Sequence, residues 1–465
     1  MVDATPTAAV RSDPLPDPLP IEPVTTLLDA SIRPPGSKSV TNRALVCAAL
    51  ARGVTDLVGV LEADDTAAMV DCLRGLGVVI ASPADSRGDA QPGVAPVPVP
   101  VLRVHGSAGR LPTGGAILDV RLSGTTSRFI APVAALARGT VVIDGAEPMR
   151  RRPMGALLDA LTDLGVGVDP LGEPGRLPVR ITASDRDVLG GTVRVSGDVS
   201  SQFLSGLLLS GPCFDDGLTV EVSTELVSVP YVRLTIEVME AFGATVEADD
   251  DWRSLRVAPG GYRAVPRFEV EPDASAASYW AAAAVIAGGS VRIDGLGRGS
   301  TQGDVGFIEV LARMGALVEW ADDHVVVGSS GVLRGIEVDM SDISDTAQTL
   351  AAVAVFADGP TTVTGIGFIR GKETDRIAAV VTELGRLGID AREDPDGFTL
   401  NPATPQPGVV ATYDDHRMAM SFALIGLRAP GIQIADPGCT AKTYPGFWTD
   451  LERVTGSGQV PHGPL

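Results

Sequence analysis

Lysine is scarce in this chain, and its placement is selective. Of 37 basic residues only three are lysine. They are Lys38 in Pro35-Gly36-Ser37-Lys38-Ser39, Lys372 in Gly371-Lys372-Glu373-Thr374-Asp375-Arg376, and Lys442 in Thr440-Ala441-Lys442-Thr443. Wherever a generic positive charge suffices, the chain uses arginine. An ammonium is a compact point charge with three rotatable donors and a pKa that moves on burial, which a guanidinium does not offer. The chemistry that wants such a group is anion binding coupled to proton transfer.

Other segments fit the same chemistry. Ser37-Lys38-Ser39-Val40-Thr41-Asn42-Arg43 precedes an apolar stretch read as a helix over Ala44–Ala51. Hydroxyl side chains and free backbone N–H groups at a helix start, with Lys38 and Arg43 beside them, suit a phosphate or carboxylate. The phosphate loop GxxxxGK[ST] is absent. Two further turns, Leu122-Ser123-Gly124-Thr125-Thr126-Ser127-Arg128 and Asp198-Val199-Ser200-Ser201-Gln202, lead into helices read over Phe129–Ala137 and Leu204–Leu209. Several such helix starts in one chain suit a ligand with more than one anionic group. In Arg150-Arg151-Arg152-Pro153 the first two arginines read equally well as a solvated run. Arg152, next to a proline expected to begin a helix, is placed for a bidentate grip on an anion. The charged runs Lys372–Arg376 and Asp414–Arg417 open helices and fit either a solvated helix start or a site. Asp345 is by its local surroundings a helix cap.

The elements that must position these residues repeat. A helical stretch ends in a hydrophobic residue and glycine, followed by a β-type run. It occurs at Leu76-Gly77, Leu164-Gly165, Phe242-Gly243, Met314-Gly315 and Leu387-Gly388. Each glycine fits the left-handed residue that ends a helix. The spacing suits a βαβαββ-sized unit, and a last helix over Phe447–Val454 closes a sixth. Six units predict two domains of three. Segment 81–100 reads as a loop insertion, and the Pro-rich start and the stretch after Thr455 read as tails.

Composition narrows the function. The chain has 465 residues, 45% hydrophobic, only 4% aromatic, with a net charge of −21. Small aliphatic residues must fill the core. Such an acidic chain is a poor partner for nucleic acid or an anionic membrane. The four cysteines and four histidines form no ligand-spaced cluster, so neither a disulfide framework nor a metal site is expected. No apolar run is long enough to span a bilayer, and the start of the chain lacks the features of a signal or transit peptide. A cytoplasmic protein is expected.

The motifs GSKSVTNRA, the Gly-Thr turn ending in Arg128, Arg152-Pro153, SSQF, KETDR, DHRMAM and AKTYPGF follow one another over roughly residues 25–450. In this order they resemble the 5-enolpyruvylshikimate-3-phosphate synthase family of the shikimate pathway. The resemblance implies an α/β (α+β) fold of two similar domains, each three βαβαββ units around a pseudo-threefold axis. In this inside-out α/β barrel arrangement the active site lies in the interdomain cleft. The expected division is a tail over 1–20, a shikimate-phosphate-side domain over 37–267, a second domain from 21–36 plus 268–455, and a tail over 456–465. The implied reaction transfers the enolpyruvyl group of phosphoenolpyruvate to the 5-hydroxyl of shikimate 3-phosphate, releasing phosphate, on the route to chorismate and aromatic amino acids.

Carried over by position, the resemblance assigns shikimate 3-phosphate to Lys38, Ser39, Arg43, Ser200, Ser201, Gln202, Ser228, Asp345 and Lys372. It assigns phosphoenolpyruvate to Lys38, Gly124, Arg152, Gln202, Arg376, Arg417 and Lys442. Asp345 accepts the hydroxyl proton, and Glu373 with Lys38 supplies the proton to the methylene carbon. No cofactor, metal or macromolecular partner is implied, and a monomer is expected. Glyphosate is expected to compete with phosphoenolpyruvate, with Gly124 bordering the pocket. The chain departs from the family at Leu122-Ser123, where many members have Asn-Ala, and at Phe368, where some have asparagine. The second change leaves the shikimate phosphate to Lys372 and Arg43.

Two other readings share the fold. An enolpyruvyl transferase acting on UDP-N-acetylglucosamine carries a reactive lid cysteine and a Lys-Asn pair, where this chain has Lys38-Ser39. A non-catalytic anion-binding protein would have lost the acid and base, yet Asp345, Glu373 and Lys38 are all present. The lysine argument makes a direct prediction. Lys38→Arg should lose about tenfold or more in kcat, ~1.4 kcal/mol of barrier, with little change in Tm. Wild-type turnover in that variant would refute a specific need for the ammonium.

Overall fold

The computed structural model describes residues 14–82, 99–112, 115–182, 188, 190–198 and 200–456. The chain divides into two compact units. One is the continuous stretch Gly36–Glu271, and the other takes the chain up to Pro35 and from Pro272 onward.

The Gly36–Glu271 unit is built on three core helices, α1 (Lys38–Leu50), α2 (Gly124–Ala134) and α3 (Ser201–Ser210), packed against one another. Each is apolar nearly all round. Such a helix has no polar face to give to water and must be buried, and nearly every residue of the three is. Sheets flank them. In the second repeat strand Gly115–Asp119, α2, strand Thr140–Asp144, helix Gly155–Asp163 and strands Gly167–Pro170 and Val179–Thr182 follow in βαβαββ order. The first two strands pair in parallel and the rest antiparallel. The third repeat, Gly191–Val195 to Ser254–Val257, copies this pattern. The first repeat is closed from the far end of the unit, where Arg267–Glu269 pairs in parallel with Val54–Val58.

The other unit repeats the plan with α4 (Ala274–Ala287), α5 (Ala347–Ala354) and α7 (His416–Gly426) as its mutually packed core helices. An outer helix, α6 (Arg376–Arg386), lies between α5 and α7 in the sequence. A hydroxyl seam joins the three core helices: Ser278 to Thr349 at 3.1 Å and Thr349 to Ser421 at 3.2 Å. The whole Gly36–Glu271 unit is inserted between strand Leu28–Ile32 and α4, yet Leu28–Ile32 still pairs with Gly289–Asp294.

Several expectations need correction. Leu19–Pro20, assigned to the tail over 1–20, forms a strand antiparallel to Ile432–Ile434. The sixth unit lacks a strand of its own there, and the start of the chain supplies it. Helices α1, α2 and α3 begin earlier than read, because Ser37, Ser123 and Ser200 cap them through their side-chain oxygens. The motif residues therefore lie within the first helical turns rather than before them. Pro153 does not open a helix, since helix Gly155–Asp163 starts two residues later. Of the 81–100 insertion, residues 83–98 lie outside the described residues, as do 1–13 and 457–465 of the tails. The strands flanking the insertion, Val79–Ala81 and Val101–His105, pair antiparallel.

All five repeated glycines are left-handed, with φ of 89° at Gly77, 81° at Gly165 and Gly243, 113° at Gly315 and 77° at Gly388. Gly165 isolates that backbone requirement, because a Cβ there would meet no heavy atom within 4 Å. Gly165→Ala should destabilise by about 1 kcal/mol. Gly385, inside α6 and equally open, should respond oppositely, with Gly385→Ala stabilising by about 0.5–1 kcal/mol. Urea unfolding of the two variants checks the pair. Shifts of the same sign would refute the assignment.

Candidate active site

The residues singled out from the sequence gather into two groups, one in each unit. In the Gly36–Glu271 unit Lys38, Ser39, Gly124, Ser201 and Gln202 sit on the first turns of the three core helices, where N–H groups and the helix dipole favour anions. Side chains tie these turns together. Lys38 Nζ lies 3.4 Å from Asp65 Oδ2. The Asp65 carbonyl accepts from Thr126 Oγ1 at 3.3 Å, and Gln202 Nε2 donates to Thr125 Oγ1 at 3.2 Å. Lys38 and Gln202, on α1 and α3, are thus both fastened to the start of α2. Ser200 caps α3 by accepting from Gln202 N, and Ser201 is buried beside it.

Gly124 is crowded by arginine. A Cβ at this position would stand 2.6 Å from Arg128 Nη1 and 3.0 Å from Arg152 Nη1. Arg128 donates to Gly124 O and Pro153 O, which binds the α2 turn to the Arg152 segment, and its guanidinium lies over the Phe203 ring. Only glycine lets both guanidiniums approach the first turn of α2 so closely. Ser228, buried and left-handed with φ 57°, precedes helix Val229–Ala241, which packs on α1 and α3.

Arg43 has a different environment from that expected of a substrate contact. Its Nε donates to Thr235 Oγ1, Nη2 to Tyr231 O and Ser205 Oγ, and Nη1 back to Ser39 O. Burial pulls it down to about 10, still charged at neutral pH. The guanidinium is a tie between α1, α3 and helix Val229–Ala241 and holds the Ser39 carbonyl from below.

In the other unit five charged residues form a line. Lys442 Nζ donates to Glu373 Oε1 at 2.6 Å, and Arg376 Nη2 donates to Glu373 Oε2 at 2.9 Å. Arg376 Nη1 reaches Asp345 Oδ1 at 3.1 Å, and Arg417 Nη2 reaches Asp345 Oδ2 at 2.6 Å. Below the line, Arg376 Nε donates to Asp415 Oδ2 at 2.8 Å, while Asp415 Oδ1 caps α7 by accepting from Arg417 N. Arg376 is only 2% exposed. Burial works against its charge, but Asp415, Glu373 and Asp345 outweigh this and hold its pKa well above the ordinary value. One guanidinium thus carries a carboxylate on each side, and each carboxylate is gripped by a further cation.

Asp345 is not the cap that its local surroundings suggested. It lies in a single 3-10 turn before α5, and its carboxylate turns to Arg376 and Arg417. Lys372 stands over the Phe368 ring, 6.0 Å from its centroid, so the departure at Phe368 replaces a donor with a surface for the ammonium.

Some partners of the candidate site residues are not legible in the sequence. Asp65, Asp415 as the partner of Arg376, and Asp304 are specified only by the tertiary fold. The sole hint was general: buried lysines and arginines need acidic partners, and the chain holds 58 acidic residues. Asp304 accepts from Ser275 Oγ, which Arg417 Nη2 approaches at 3.5 Å. Burial, then the nearby Asp345 carboxylate, pushes Asp304 from 3.8 up to about 6. Among the described residues no group of His, Cys, Asp or Glu is placed to hold a metal, and no helix is long and apolar enough to cross a membrane.

The raised Asp304 has a stability consequence. Its folded form holds the proton more tightly, so its stabilising contribution is full below 3.8 and is lost as pH rises through about 6. The stability of Asp304→Asn relative to wild type should therefore climb over that window and stay flat above it. Urea unfolding at several pH values measures this, and a pH-independent difference would refute it.

The EPSP synthase (3-phosphoshikimate 1-carboxyvinyltransferase) family matches residues 24–451. The chain is 41% identical over 429 residues to a 3-phosphoshikimate 1-carboxyvinyltransferase of Trichormus variabilis, covering 92% of this chain and 97% of that one. It is 44% identical over 425 residues to the protein of that name from Laribacter hongkongensis, covering 90% and 96%. A solved EPSP synthase from Acinetobacter baumannii superposes with a TM-score of 0.76 at 26% identity, covering 93% of this chain and 97% of that one.

Proposed function

The chain belongs to the EPSP synthase family, and from that premise we propose that the two charged groups are the working parts of one enolpyruvyl transfer. The enzyme moves the enolpyruvyl group of phosphoenolpyruvate to the 5-hydroxyl of shikimate 3-phosphate and releases phosphate, a step of the shikimate pathway. Both substrates carry several negative charges, so cations must draw them together and neutralise charge as it develops.

In this proposal Lys38, Ser39, Ser200, Ser201, Gln202, Ser228 and Lys372 hold shikimate 3-phosphate, with Arg43 fixing Ser39 from beneath. Gly124, Arg152, Gln202, Arg376, Arg417 and Lys442, with Lys38, hold phosphoenolpyruvate. Asp345 takes the proton of the 5-hydroxyl as its oxygen bonds to the central carbon of phosphoenolpyruvate. Glu373, with Lys38, delivers a proton to the methylene carbon. Loss of that proton and of phosphate then restores the double bond.

The observation that carries the assignment is the line Lys442–Glu373–Arg376–Asp345–Arg417. In it Glu373 and Asp345 lie on opposite sides of one guanidinium, which supports reading them as acid and base, and every cation in it already binds a carboxylate. A phosphate or carboxylate ligand competes for the same donors. As Arg376 and Lys442 turn toward the ligand, Glu373 loses stabilisation of its anion and its proton affinity rises. Substrate binding would in this way prepare the acid.

The sugar-nucleotide reading is not favoured by the family match. Its reactive cysteine also lacks a counterpart among Cys47 and Cys72, both buried, with burial pushing both thiols upward. We place the protein as a cytoplasmic monomer acting on small molecules, without cofactor or metal.

The test is phosphate release from phosphoenolpyruvate that depends on shikimate 3-phosphate. Asp345→Asn and Glu373→Gln should each lower kcat by about 10²-fold or more; each also removes a charge that pairs with the buried Arg376, so kcat is compared at a temperature where both variants remain folded. Phosphate release without shikimate 3-phosphate, or near-normal kcat in both variants, would overturn the proposal.

A further inference from the structure

Helix α6 grips the segment that carries Arg417 at two points. Arg376 at its first turn binds Asp415. Glu383, seven residues later and so on the same helix face, accepts from Tyr413 Oη at 2.6 Å and from Ala411 N at 3.0 Å. Arg386 Nη1 completes its shell at 2.7 Å. Glu383 is fully buried, and burying an ionised carboxylate is costly unless every oxygen is well bonded. Nothing in the transfer reaction calls for a charge there.

The backbone between the two grips explains it. Tyr413 and Asp414 are consecutive non-glycine residues in the left-handed region, with φ of 57° and 56°, a conformation that L residues adopt only at a cost. Asp415 N bonds back to Thr412 O and closes the turn. The next residues are Asp415, His416 and Arg417. Relaxation of this turn would rotate the start of α7 and move Arg417 away from Asp345 and Arg376. Tyr413 is 39% exposed, and what fixes its hydroxyl is the 2.6 Å bond it donates to Glu383; partial burial and that carboxylate push the phenol up to about 12.

We propose that Glu383 and Tyr413 are positioning residues that brace the left-handed turn at 413–414 and so set the separation of Arg417 from Arg376. This rests on the assignment of those two arginines to phosphoenolpyruvate. The brace touches no substrate and acts through the backbone of the turn. It spans two successive repeats, because α6 belongs to one and α7 to the next, which gives α6 the role of a ruler between two cations.

The experiment compares Glu383→Gln and Tyr413→Phe with wild type. It measures KM for each substrate, kcat, Tm, and equilibrium binding of phosphoenolpyruvate in the presence of shikimate 3-phosphate. Both variants should raise KM and the dissociation constant for phosphoenolpyruvate by about fivefold or more, with KM for shikimate 3-phosphate within about twofold of wild type. A merely structural role would lower Tm and leave this ratio unchanged, and that result overturns the inference. If Glu383→Gln does not fold, Tyr413→Phe decides alone, because it keeps the buried carboxylate with its Arg386 and Ala411 partners. A wild-type protein lacking turnover would sink the proposed reaction, while the binding measurement would still judge the brace.

Discussion

Burying Arg376 is the constraint from which the arrangement of its unit follows. A guanidinium that is 2% exposed must find an acceptor for each face of its fork, because an unpaired charge away from water is prohibitive. Three carboxylates meet the demand. Asp415 comes from the cap of α7, Asp345 from the turn before α5, and Glu373 from the residues just before α6. Each must be delivered by a different element, so the cation decides where three helices may begin. The positions of Asp345 and Glu373, the proposed base and acid, are thereby fixed as a by-product of neutralising one arginine.

The other unit meets a similar need by weaker means. Its buried cation, Arg43, ties α1, α3 and helix Val229–Ala241 through hydroxyl and carbonyl acceptors rather than carboxylates. Hydroxyl caps, the Lys38–Asp65 pair and the Gln202–Thr125 bond link three helix starts. Hydroxyl and amide bonds exchange with water at little net cost, so this group can yield its partners to a ligand more readily than the carboxylate-locked line can. The core beneath both groups is made of small side chains. Ala274–Ala287 illustrates the choice: alanine favours the helix and lets neighbours approach closely.

Much of this was legible before any coordinates. Five helix-ending glycines reveal the repeat, because a left-handed terminus favours that residue and a strand begins two or three residues after each. The three lysines stand out because every other basic residue is arginine, and Lys38 and Lys442 fall in the two charged groups while Lys372 lies over Phe368. Illegible were relations between residues far apart in the chain. Asp345 looks like a cap locally and becomes a partner of Arg376 and Arg417 only when α5, α6 and α7 assemble. Arg43 sits in a motif expected to bind substrate, yet its guanidinium turns inward to Thr235 and Tyr231, which no local pattern announces. Glu383 lies in an ordinary amphipathic helix, and its partner Tyr413 lies in a turn 30 residues further on.

The insertion of one unit inside the other has a bearing on how the chain acquires its shape during synthesis. The Gly36–Glu271 unit is continuous, so all of its partners leave the ribosome in one stretch. Strand Leu19–Pro20 must wait for Ile432–Ile434, and the Asp17 carboxylate waits for Asp436 N–H, 419 residues downstream. At about 5–20 residues per second that delay is roughly 20–80 s. During it Leu19–Pro20 has no strand to join, while Leu28–Ile32 waits a shorter time for Gly289–Asp294. The continuous unit can fold first, and the discontinuous one is completed only by the last helix to be made. A nascent chain halted before α7 would therefore display one finished unit and one with open β-edges, the form most open to capture by chaperones.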